Sequence, residues 1–344
     1  MKAVQYRKIG KPPEYVDVDD PTAPPGGMVI KVLASGLCHS DEFVMGLDEK
    51  TFNDVYGYKV PMTLGHETAG EIVELGEGTK GVEVGDRVLV YGCWGCGVCD
   101  LCARGNENLC RRGMISPGFA EPGGMAEYMA VDSVQHIVPI DDQDPIKMAP
   151  LNDAGLTPYS IIKRFRHKLR AGSTAVVIGA GGLGHVAIQL LRRMSDAQVI
   201  ALDLTGPKLQ FAKEVGAHHA LKSDKSAAEK VMELSGGKGA DLVLDFVAAG
   251  PTPDLAVACG GIQSAVVFAG AGNGFAKVGF GIVPWEMELS NSLWGTRLEL
   301  MELVEMAKRE PLEIRTTPFP LELAPMAYRM LHEGKIDGRA VCVP

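Results

Sequence analysis

The sequence predicts a mostly β domain followed by a doubly wound α/β domain, and its texture and its length both support this. Up to about residue 150 the chain is rich in glycine and proline and its apolar runs are short, which is typical of β structure. Over residues 155–294 apolar segments of strand length alternate with helical segments, which favours a parallel sheet covered by helices. At 344 residues the chain is longer than one hydrophobic core usually supports, so two domains are expected.

The elements follow from these runs in chain order. In the first domain we expect strands at 28–34, 71–75 and 87–91. In the second we expect strands at 174–178, 198–202, 241–246 and 264–270, with a helix over 186–193 after the first of them. A charged amphipathic helix over 297–310 precedes a tail of short strands. The expected domains are therefore 1–153 and 154–294, with 295–344 returning to the first.

Composition limits the partners. A formal net charge of −9 without a basic cluster argues against nucleic acid, so a small molecule is expected. The uncharged stretch 175–191 contains four glycines and is too short for a membrane span. The chain opens M-K-A-V-Q-Y without the apolar core of a secretory signal, so we expect a cytoplasmic protein in a reducing compartment.

A dense group of cysteines lies within residues 93–111, at Cys96, Cys99, Cys102 and Cys110. Short spacers of this kind let a folded loop bring four sulfurs to one point, and four thiolates suit a closed structural zinc site. Disulfide pairing is the alternative, which the expected reducing compartment disfavours. The sequence therefore predicts a structural zinc lobe.

A dinucleotide site is predicted after the strand T-A-V-V-I. The loop G-A-G-G-L-G has the G-x-G-x-x-G register and supplies the candidate residues Gly179, Gly181, Gly182, Leu183 and Gly184. The glycines allow a tight turn and close backbone approach, and the following helix offers its N–H groups to a pyrophosphate. A preceding strand, a following helix and a downstream acidic residue make this more specific than a lone glycine triplet.

That acidic residue is Asp203, at the end of V-I-A-L-D. A carboxylate there accepts hydrogen bonds from the adenosine ribose and repels a 2′-phosphate, so NAD is expected over NADP. A simple turn residue is the alternative for Asp203. Lys208 could reach the ribose, or could be a solvated lysine at the start of a helix.

Two further candidate zinc ligands are Cys38 in G-L-C-H-S-D and His66 in L-G-H-E. Together with G-D-R-V, the cysteine lobe, the glycine motif and the domain order, they make the chain similar to the zinc-dependent medium-chain alcohol dehydrogenases, of the bacterial secondary-alcohol type. The resemblance covers essentially the whole chain. It implies a GroES-like catalytic domain, a Rossmann domain, and two zinc ions per subunit.

The resemblance also implies individual roles at the catalytic zinc. Cys38 and His66 match two of its ligands, and the third, usually cysteine or glutamate, is matched by Asp153 in P-L-N-D-A-G. A helix-capping role is the alternative for Asp153. Glu67 matches a supporting or alternate ligand, and Asp41 matches the residue that orients the ligand histidine through its other ring nitrogen.

Ser40 matches the hydroxyl that begins proton transfer from the substrate, and His39 matches a contact to the cofactor pyrophosphate. Phe43 stands where many relatives have the histidine that delivers the proton to solvent, so the relay must end elsewhere. We expect Phe43, Tyr58 and Trp294 to line the substrate pocket.

These roles imply hydride transfer between NAD and an alcohol, with a medium-sized or aryl secondary alcohol as the expected substrate. A polyol or formaldehyde dehydrogenase is an alternative on the same scaffold. Two less favoured alternatives are a metal-free quinone reductase and a non-catalytic NAD-sensing zinc protein. The resemblance further implies a homodimer or homotetramer that pairs through an edge strand, expected around 277–281.

Overall fold

The computed structural model describes residues 1–344 and divides the chain into two units, one formed by Met1–Leu156 with Gly295–Pro344 and the other by Thr157–Trp294. The strands in chain order are β1 (Lys2–Tyr6), β2 (Glu14–Asp17), β3 (Met28–Gly36), β4 (Met62–Thr63), β5 (Glu67–Leu75), β6 (Arg87–Val90), β7 (Tyr128–Val131), β8 (Ile137–Pro139), β9 (Thr174–Ile178), β10 (Gln198–Asp203), β11 (His219–Lys222), β12 (Ala240–Asp245), β13 (Gly260–Phe268), β14 (Glu288–Asn291), β15 (Thr316–Pro320) and β16 (Arg339–Val343).

The α-helices are α1 (His39–Met45), α2 (Pro145–Met148), α3 (Leu156–Phe165), α4 (Gly184–Met194), α5 (Gly206–Glu214), α6 (Ala227–Leu234), α7 (Thr252–Cys259), α8 (Arg297–Arg309) and α9 (Ala324–His332). A 3-10 helix, Ala149–Asn152, precedes α3. None of the helices combines the length and apolar character that crossing a membrane requires.

The first unit contains a mostly antiparallel sheet in the order β15-β16-β3-β5-β6-β8, with β7 paired to β3, and a smaller sheet in the order β2-β1-β4. Alternate residues of β3, at Met28, Ile30 and Val32, face one hydrophobic core with Ile72 of β5 and Val88 of β6. The two C-terminal strands complete this sheet, so the end of the chain lies in the same unit as β3 and β5.

The second unit is one parallel sheet in the order β11-β10-β9-β12-β13-β14. Every residue of β9 is buried, which is why its residues 175–178 are continuously apolar rather than alternating. The strand order reverses at β9, and ligands of such sheets bind beyond the carboxyl ends of the strands at that reversal.

The predicted fold class is confirmed, and two strands of the second unit, β11 and β14, are additional to those predicted for it. Both β11 and β14 are short and only partly buried, so they lack the long apolar run that marks the inner strands. The expectation of an edge strand around 277–281 is wrong, because that stretch contains no strand and the edge is β14. Residues 277–281 have polar and glycine positions among their apolar ones and form no ladder.

Candidate active site and zinc centres

The first candidate ligand, Cys38, is placed by the start of α1. Cys38 is the N-cap residue, and Asp41 reaches back so that its Oδ2 accepts the Cys38 backbone N–H at 3.1 Å. This reciprocal arrangement satisfies N–H groups that the first turn of a helix leaves unpaired. Both residues are buried. The local sequence C-H-S-D thus fixes the Cys38 side chain at a helix end inside the first unit.

His66 and Glu67 follow a tight turn between β4 and β5. Gly65 has φ of 100°, in the region that favours glycine, and a Cβ there would stand 2.7 Å from the backbone nitrogen of Met125. The turn therefore requires glycine, and it directs both His66 and Glu67 into the interior, where each is at most 1% exposed.

The third candidate ligand, Asp153, directly follows the 3-10 helix Ala149–Asn152. Its Oδ2 lies 3.2 Å from the Cys38 Sγ and 3.7 Å from the His66 Nε2. Two bonds of about 2.0 to 2.3 Å at a tetrahedral angle place ligand atoms about 3.3 to 3.8 Å apart. The Asp153–His66 distance lies within this range and the Asp153–Cys38 distance just below it, and the mix of sulfur, nitrogen and oxygen suits one zinc ion.

A fourth acidic group, Glu67, joins these three. Ligand atoms of Cys38, His66, Glu67 and Asp153 all lie within 4.8 Å of one another, and all four residues are buried. The Glu67 Oε2 is buried without a hydrogen-bond partner, while its Oε1 accepts a hydrogen bond from the Arg339 guanidinium. A buried carboxylate oxygen without a hydrogen-bond partner can turn toward a cation, so Glu67 could serve as a supporting or alternate ligand of the metal.

The charges of the cluster depend on one another. Burial lowers the pKa of His66, but the Asp41 and Asp153 carboxylates outweigh it and hold that pKa well above its usual value. Burial opposes ionisation of Asp153, yet hydrogen bonding and charge from His66 lower its pKa to about 2. Burial and the Asp153 carboxylate raise the pKa of the Cys38 thiol. Because a metal ligand must be deprotonated, zinc binding here would release protons.

Two buried residues that are not part of the cluster, Asp41 and Asn152, hold it in position. The His66 Nδ1 lies 3.0 Å from the Asp41 Oδ1, which leaves Nε2 directed at Asp153. The Asn152 amide donates to the His66 carbonyl oxygen at 3.2 Å and to the Val90 carbonyl oxygen. The residue before Asp153 is thereby tied to the strand segment that carries His66.

The other residues of the C-H-S-D segment lie closer to solvent. Ser40 is partly buried, and its hydroxyl oxygen lies 3.5 Å from the Cys38 Sγ. His39 is exposed, with its Nδ1 2.6 Å from the Glu42 Oε2. Phe43 is partly buried on the same helix, and its ring lies 6.1 Å from that of Tyr56.

A row of aromatic rings runs outward from His66. The Phe119 ring lies 4.8 Å from the His66 ring, and Tyr58 lies 6.2 Å from Phe119. Tyr56 stacks on Tyr58 at 5.3 Å, and Phe43 meets Tyr56 edge-on at 6.1 Å. The row therefore gathers two of the three predicted pocket residues. Trp294, the third, is a buried residue at the end of the second unit.

The four cysteines of the lobe also converge. The ligand atoms of Cys96, Cys99, Cys102 and Cys110 lie within 4.8 Å of one another. Backbone N–H groups of Cys102 and Arg111 lower the pKa of the Cys99 thiol to about 6, and backbone groups also lower the pKa of Cys96. Donors that stabilise thiolates, with four sulfurs at one point, fit a structural zinc ion.

The glycine loop follows β9 and leads into α4. Gly179 has φ of 86°, and a Cβ on Gly184 would overlap the carbonyl oxygen of Gly179, so the helix packs directly on the loop. A Cβ on Gly181 would meet only the Lys208 Nζ, at 4.0 Å. The face of the loop at Gly181 is therefore open, next to a positive charge. The intervening Gly182 and Leu183 form the turn into the helix.

Asp203 ends β10 beside this loop and is mostly buried. Its Oδ2 accepts the Ala180 N–H at 2.9 Å, and its Oδ1 accepts the Thr205 N–H at 3.1 Å. The carboxylate is thus fixed against the glycine loop by backbone groups. An open glycine loop, a helix N-terminus and a fixed carboxylate fit the pyrophosphate and ribose of a dinucleotide.

Comparison with known proteins identifies the family of the chain. Residues 24–142 match the family model described as "Alcohol dehydrogenase GroES-like domain", and residues 182–309 match "Zinc-binding dehydrogenase". D-arabinose 1-dehydrogenase (NADP(+)) of Saccharolobus solfataricus is 31% identical over 348 residues, which cover 100% of this chain and 97% of that protein. The chain belongs to the zinc-dependent medium-chain alcohol dehydrogenase family.

Two further relatives of this alcohol dehydrogenase match it over the full length of both proteins. The NAD-dependent alcohol dehydrogenase of Sulfurisphaera tokodaii is 32% identical over 358 residues, covering 100% of each chain. The crystal structure of the alcohol dehydrogenase from Aeropyrum pernix superposes with a TM-score of 0.92 at 31% identity, again over 100% of each chain. The protein is thus an oxidoreductase that uses a nicotinamide cofactor and zinc and acts on a small-molecule substrate.

Several residues around the dehydrogenase's zinc cluster were not predicted from the sequence. These residues contact either a member of the cluster or Asp41: Arg339 pairs with Glu67, Tyr328 donates to Asp41, and Asn152 and Phe119 contact His66. Asn152 is the one with a local signal, since it adjoins Asp153. The other three lie far along the chain from their partners and belong to no spacing motif.

Proposed function

We propose that this dehydrogenase interconverts medium-sized secondary alcohols, including aryl carbinols, with their ketones, and that it uses NAD. The observation that supports this most is the aromatic row from Phe119 to Phe43, because it begins against His66, a proposed ligand of the catalytic zinc. Aromatic rings in such a row offer an apolar surface against which another ring can pack. A substrate held at the zinc would have its larger substituent along this surface.

The proposed roles follow from position. Cys38, His66 and Asp153 hold zinc, which when bound supplies a Lewis acid with an open coordination position. The Ser40 hydroxyl, 3.5 Å from the Cys38 Sγ, lies close enough to the cluster to accept the substrate's hydroxyl proton and pass it toward solvent. Glu67 balances the buried charge of Arg339 and is an alternate ligand.

The cofactor roles rest on the second unit. NAD, when bound, accepts the hydride. The glycine loop and the N-terminus of α4 would hold its pyrophosphate, with Lys208 contributing a positive charge nearby. Asp203 would accept hydrogen bonds from the ribose and repel the 2′-phosphate of NADP, although one relative uses NADP(+).

A substrate panel tests the proposal. With NAD, 1-phenylethanol and 2-octanol should give kcat/KM at least about tenfold above ethanol, xylitol, formaldehyde and D-arabinose, equal to ~1.4 kcal/mol of transition-state binding. Tyr58→Ala should raise KM for 1-phenylethanol several-fold and leave 2-propanol nearly unchanged. Tyr15→Ala, which changes an exposed tyrosine of β2, is the control.

Sugar oxidation is the second candidate, because one relative is named for its action on D-arabinose. A panel in which D-arabinose or xylitol outperforms every secondary alcohol would replace the proposed substrate class with this one.

We further propose a homodimer or homotetramer in which a second copy covers the β14 edge. Phe275, Phe280 and Trp285, in the segment before β14, are 86%, 94% and 55% exposed. Such apolar side chains next to an unpaired strand edge favour association. Light scattering should give a multiple of 36.7 kDa, reduced to the monomer by Phe280→Lys. We also propose a cytoplasmic location, because eight cysteines and thiolate ligands require a reducing compartment.

A further inference from the structure

The Asp41 carboxylate receives donors from three separate parts of the first unit. Its Oδ1 lies 3.0 Å from the His66 Nδ1, and its Oδ2 accepts the Cys38 backbone N–H at 3.1 Å. The Tyr328 hydroxyl donates to the same Oδ2 at 2.9 Å. Asp41 is fully buried, and Cys38, His66 and Tyr328 are each at most 4% exposed. Water is therefore absent as a competitor for these hydrogen bonds.

Asp41 contacts two of the proposed zinc ligands through atoms that would not themselves bind the metal, the His66 Nδ1 and the Cys38 backbone N–H. Through Oδ1 it selects the His66 tautomer in which Nε2 carries no proton and can bind a metal, and through Oδ2 it fixes the backbone at Cys38. Both effects require that the carboxylate keep one rotation about its Cβ–Cγ bond. Because rotation about this bond is otherwise soft, a further donor to one of the oxygens helps to hold that rotation.

Tyr328 is placed to do so. It lies on α9, 287 residues away along the chain, and its hydroxyl is the only side-chain donor besides His66 that the structure gives to Asp41. A phenylalanine would fill the same space but leave Oδ2 with a single backbone donor. Since Tyr328 is a neutral donor, it also holds the charge of Asp41 without competing for the His66 proton.

We propose that Tyr328 is a positioning residue of the catalytic zinc centre, where its hydroxyl locks the Asp41 carboxylate that orients His66 and Cys38. The proposal rests on the zinc ligands assigned under the proposed function. It extends the centre to the C-terminal helix α9, so that the returning end of the chain supports the metal through hydrogen bonds as well as through packing.

The test compares zinc release from Tyr328→Phe and wild type in the presence of a chelator. Supporting hydrogen-bond partners of metal ligands typically contribute 10- to 100-fold to metal affinity, so the catalytic zinc should leave about tenfold faster from the variant. Zinc in the four-cysteine lobe serves as the internal reference and should leave at the wild-type rate. After cobalt replaces the catalytic zinc, the visible absorption of the variant should shift, which a packing defect remote from the metal would not cause.

Tyr91→Phe is the matched control, because the Tyr91 hydroxyl is buried in the same unit and donates to the Gly295 carbonyl oxygen at 2.7 Å. It should lose comparable stability and keep wild-type zinc release. Asp41→Asn and the double variant with Tyr328→Phe complete a mutant cycle. If Tyr328 acts through Asp41, adding Tyr328→Phe to Asp41→Asn should change zinc release by less than about twofold.

The outcomes separate this proposal from the function on which it rests. Wild-type release and an unchanged cobalt spectrum in Tyr328→Phe, with two zinc ions per subunit, would overturn the role of Tyr328 alone. Additive effects in the mutant cycle would overturn it too. A wild-type enzyme that binds zinc only in the four-cysteine lobe would remove the ligand assignment, and this proposal with it.

Discussion

Glu67 and Arg339 form a fully buried ion pair directly beside the three proposed ligands of the catalytic zinc. The pair joins the start of β5 to the start of β16, and β16 is one of the C-terminal strands that complete the sheet. Gly36 makes room for it, because a Cβ there would overlap the Glu67 carboxylate. Arg339 is thus held in the interior by one carboxylate.

Removing one partner of this pair should destabilise the protein. Burial raises the pKa of Glu67 to about 8 against the Arg339 charge, so above that pH Glu67→Gln leaves the Arg339 charge buried and unpaired, which costs about 3 to 5 kcal/mol of the free energy of unfolding. The double variant with Arg339→Met should recover most of that loss, since neither charge remains. Urea unfolding of both variants measures it. A single variant as stable as wild type, or a double variant no better than the single one, would show that the charges are hydrated.

Asp153 tests the composition of the catalytic zinc site. Asp153→Ala removes the oxygen that lies within ligand spacing of both the Cys38 Sγ and the His66 Nε2. Two zinc ions per subunit should fall to about one, as expected when one of three protein ligands is lost, with activity lost and the circular dichroism spectrum retained. Metal analysis measures the result directly.

Cys99→Ser is the matched control for Asp153→Ala, because it should remove the lobe zinc and leave the other. If Asp153→Ala kept both metals and full turnover, Asp153 would not be a ligand, and Glu67, within 4.8 Å of the same atoms, would be the next to replace.

The sequence predicts the parts of the molecule whose signals are local. The inner strands of the second sheet contain unbroken apolar runs, at 175–178 and 242–244, and the glycine loop, the cysteine lobe and C-H-S-D are contiguous motifs with fixed chemical purposes. Asp153 could be placed by its match to the family, although its residue type departs from the usual ligand.

What the sequence does not predict depends on tertiary contact between distant segments. Arg339 meets Glu67 across 272 residues and Tyr328 meets Asp41 across 287, and no spacing rule connects them. The expectation of an edge strand around 277–281 rests on the resemblance to the family alone, and the strand observed at that edge of the sheet, β14, has no apolar run in its sequence that could have marked it.

Asp203 should determine the choice of cofactor. Asp203→Asn keeps the size of the side chain and its acceptor for the Ala180 N–H but removes the charge that repels a 2′-phosphate. The ratio of kcat/KM for NAD to that for NADP should fall about tenfold or more, equal to ~1.4 kcal/mol. Steady-state kinetics with both cofactors measure it. Asp224→Asn, an exposed carboxylate before α6, is the control, and an unchanged ratio for Asp203→Asn would assign the preference to other residues.

Two glycines of the cofactor loop should respond oppositely to the same substitution. A Cβ on Gly184 would overlap the Gly179 carbonyl oxygen, so Gly184→Ala must displace the loop or α4 and should cost about 1 to 3 kcal/mol of stability. A Cβ on Gly181 would lie in open space with the Lys208 Nζ 4.0 Å away, so Gly181→Ala should fold with nearly wild-type stability. The added methyl group would instead occupy the place where a pyrophosphate approaches the backbone, because the glycines of this motif permit that approach.

The two variants are matched controls for each other, since each adds one methyl group to the same loop. Thermal unfolding without cofactor should separate them, because only Gly184→Ala should have a lower Tm than wild type. Titration of NAD, followed by fluorescence, should show at least about tenfold weaker binding to Gly181→Ala, equal to ~1.4 kcal/mol. Wild-type NAD affinity in Gly181→Ala would mean that the pyrophosphate does not lie against this face of the loop.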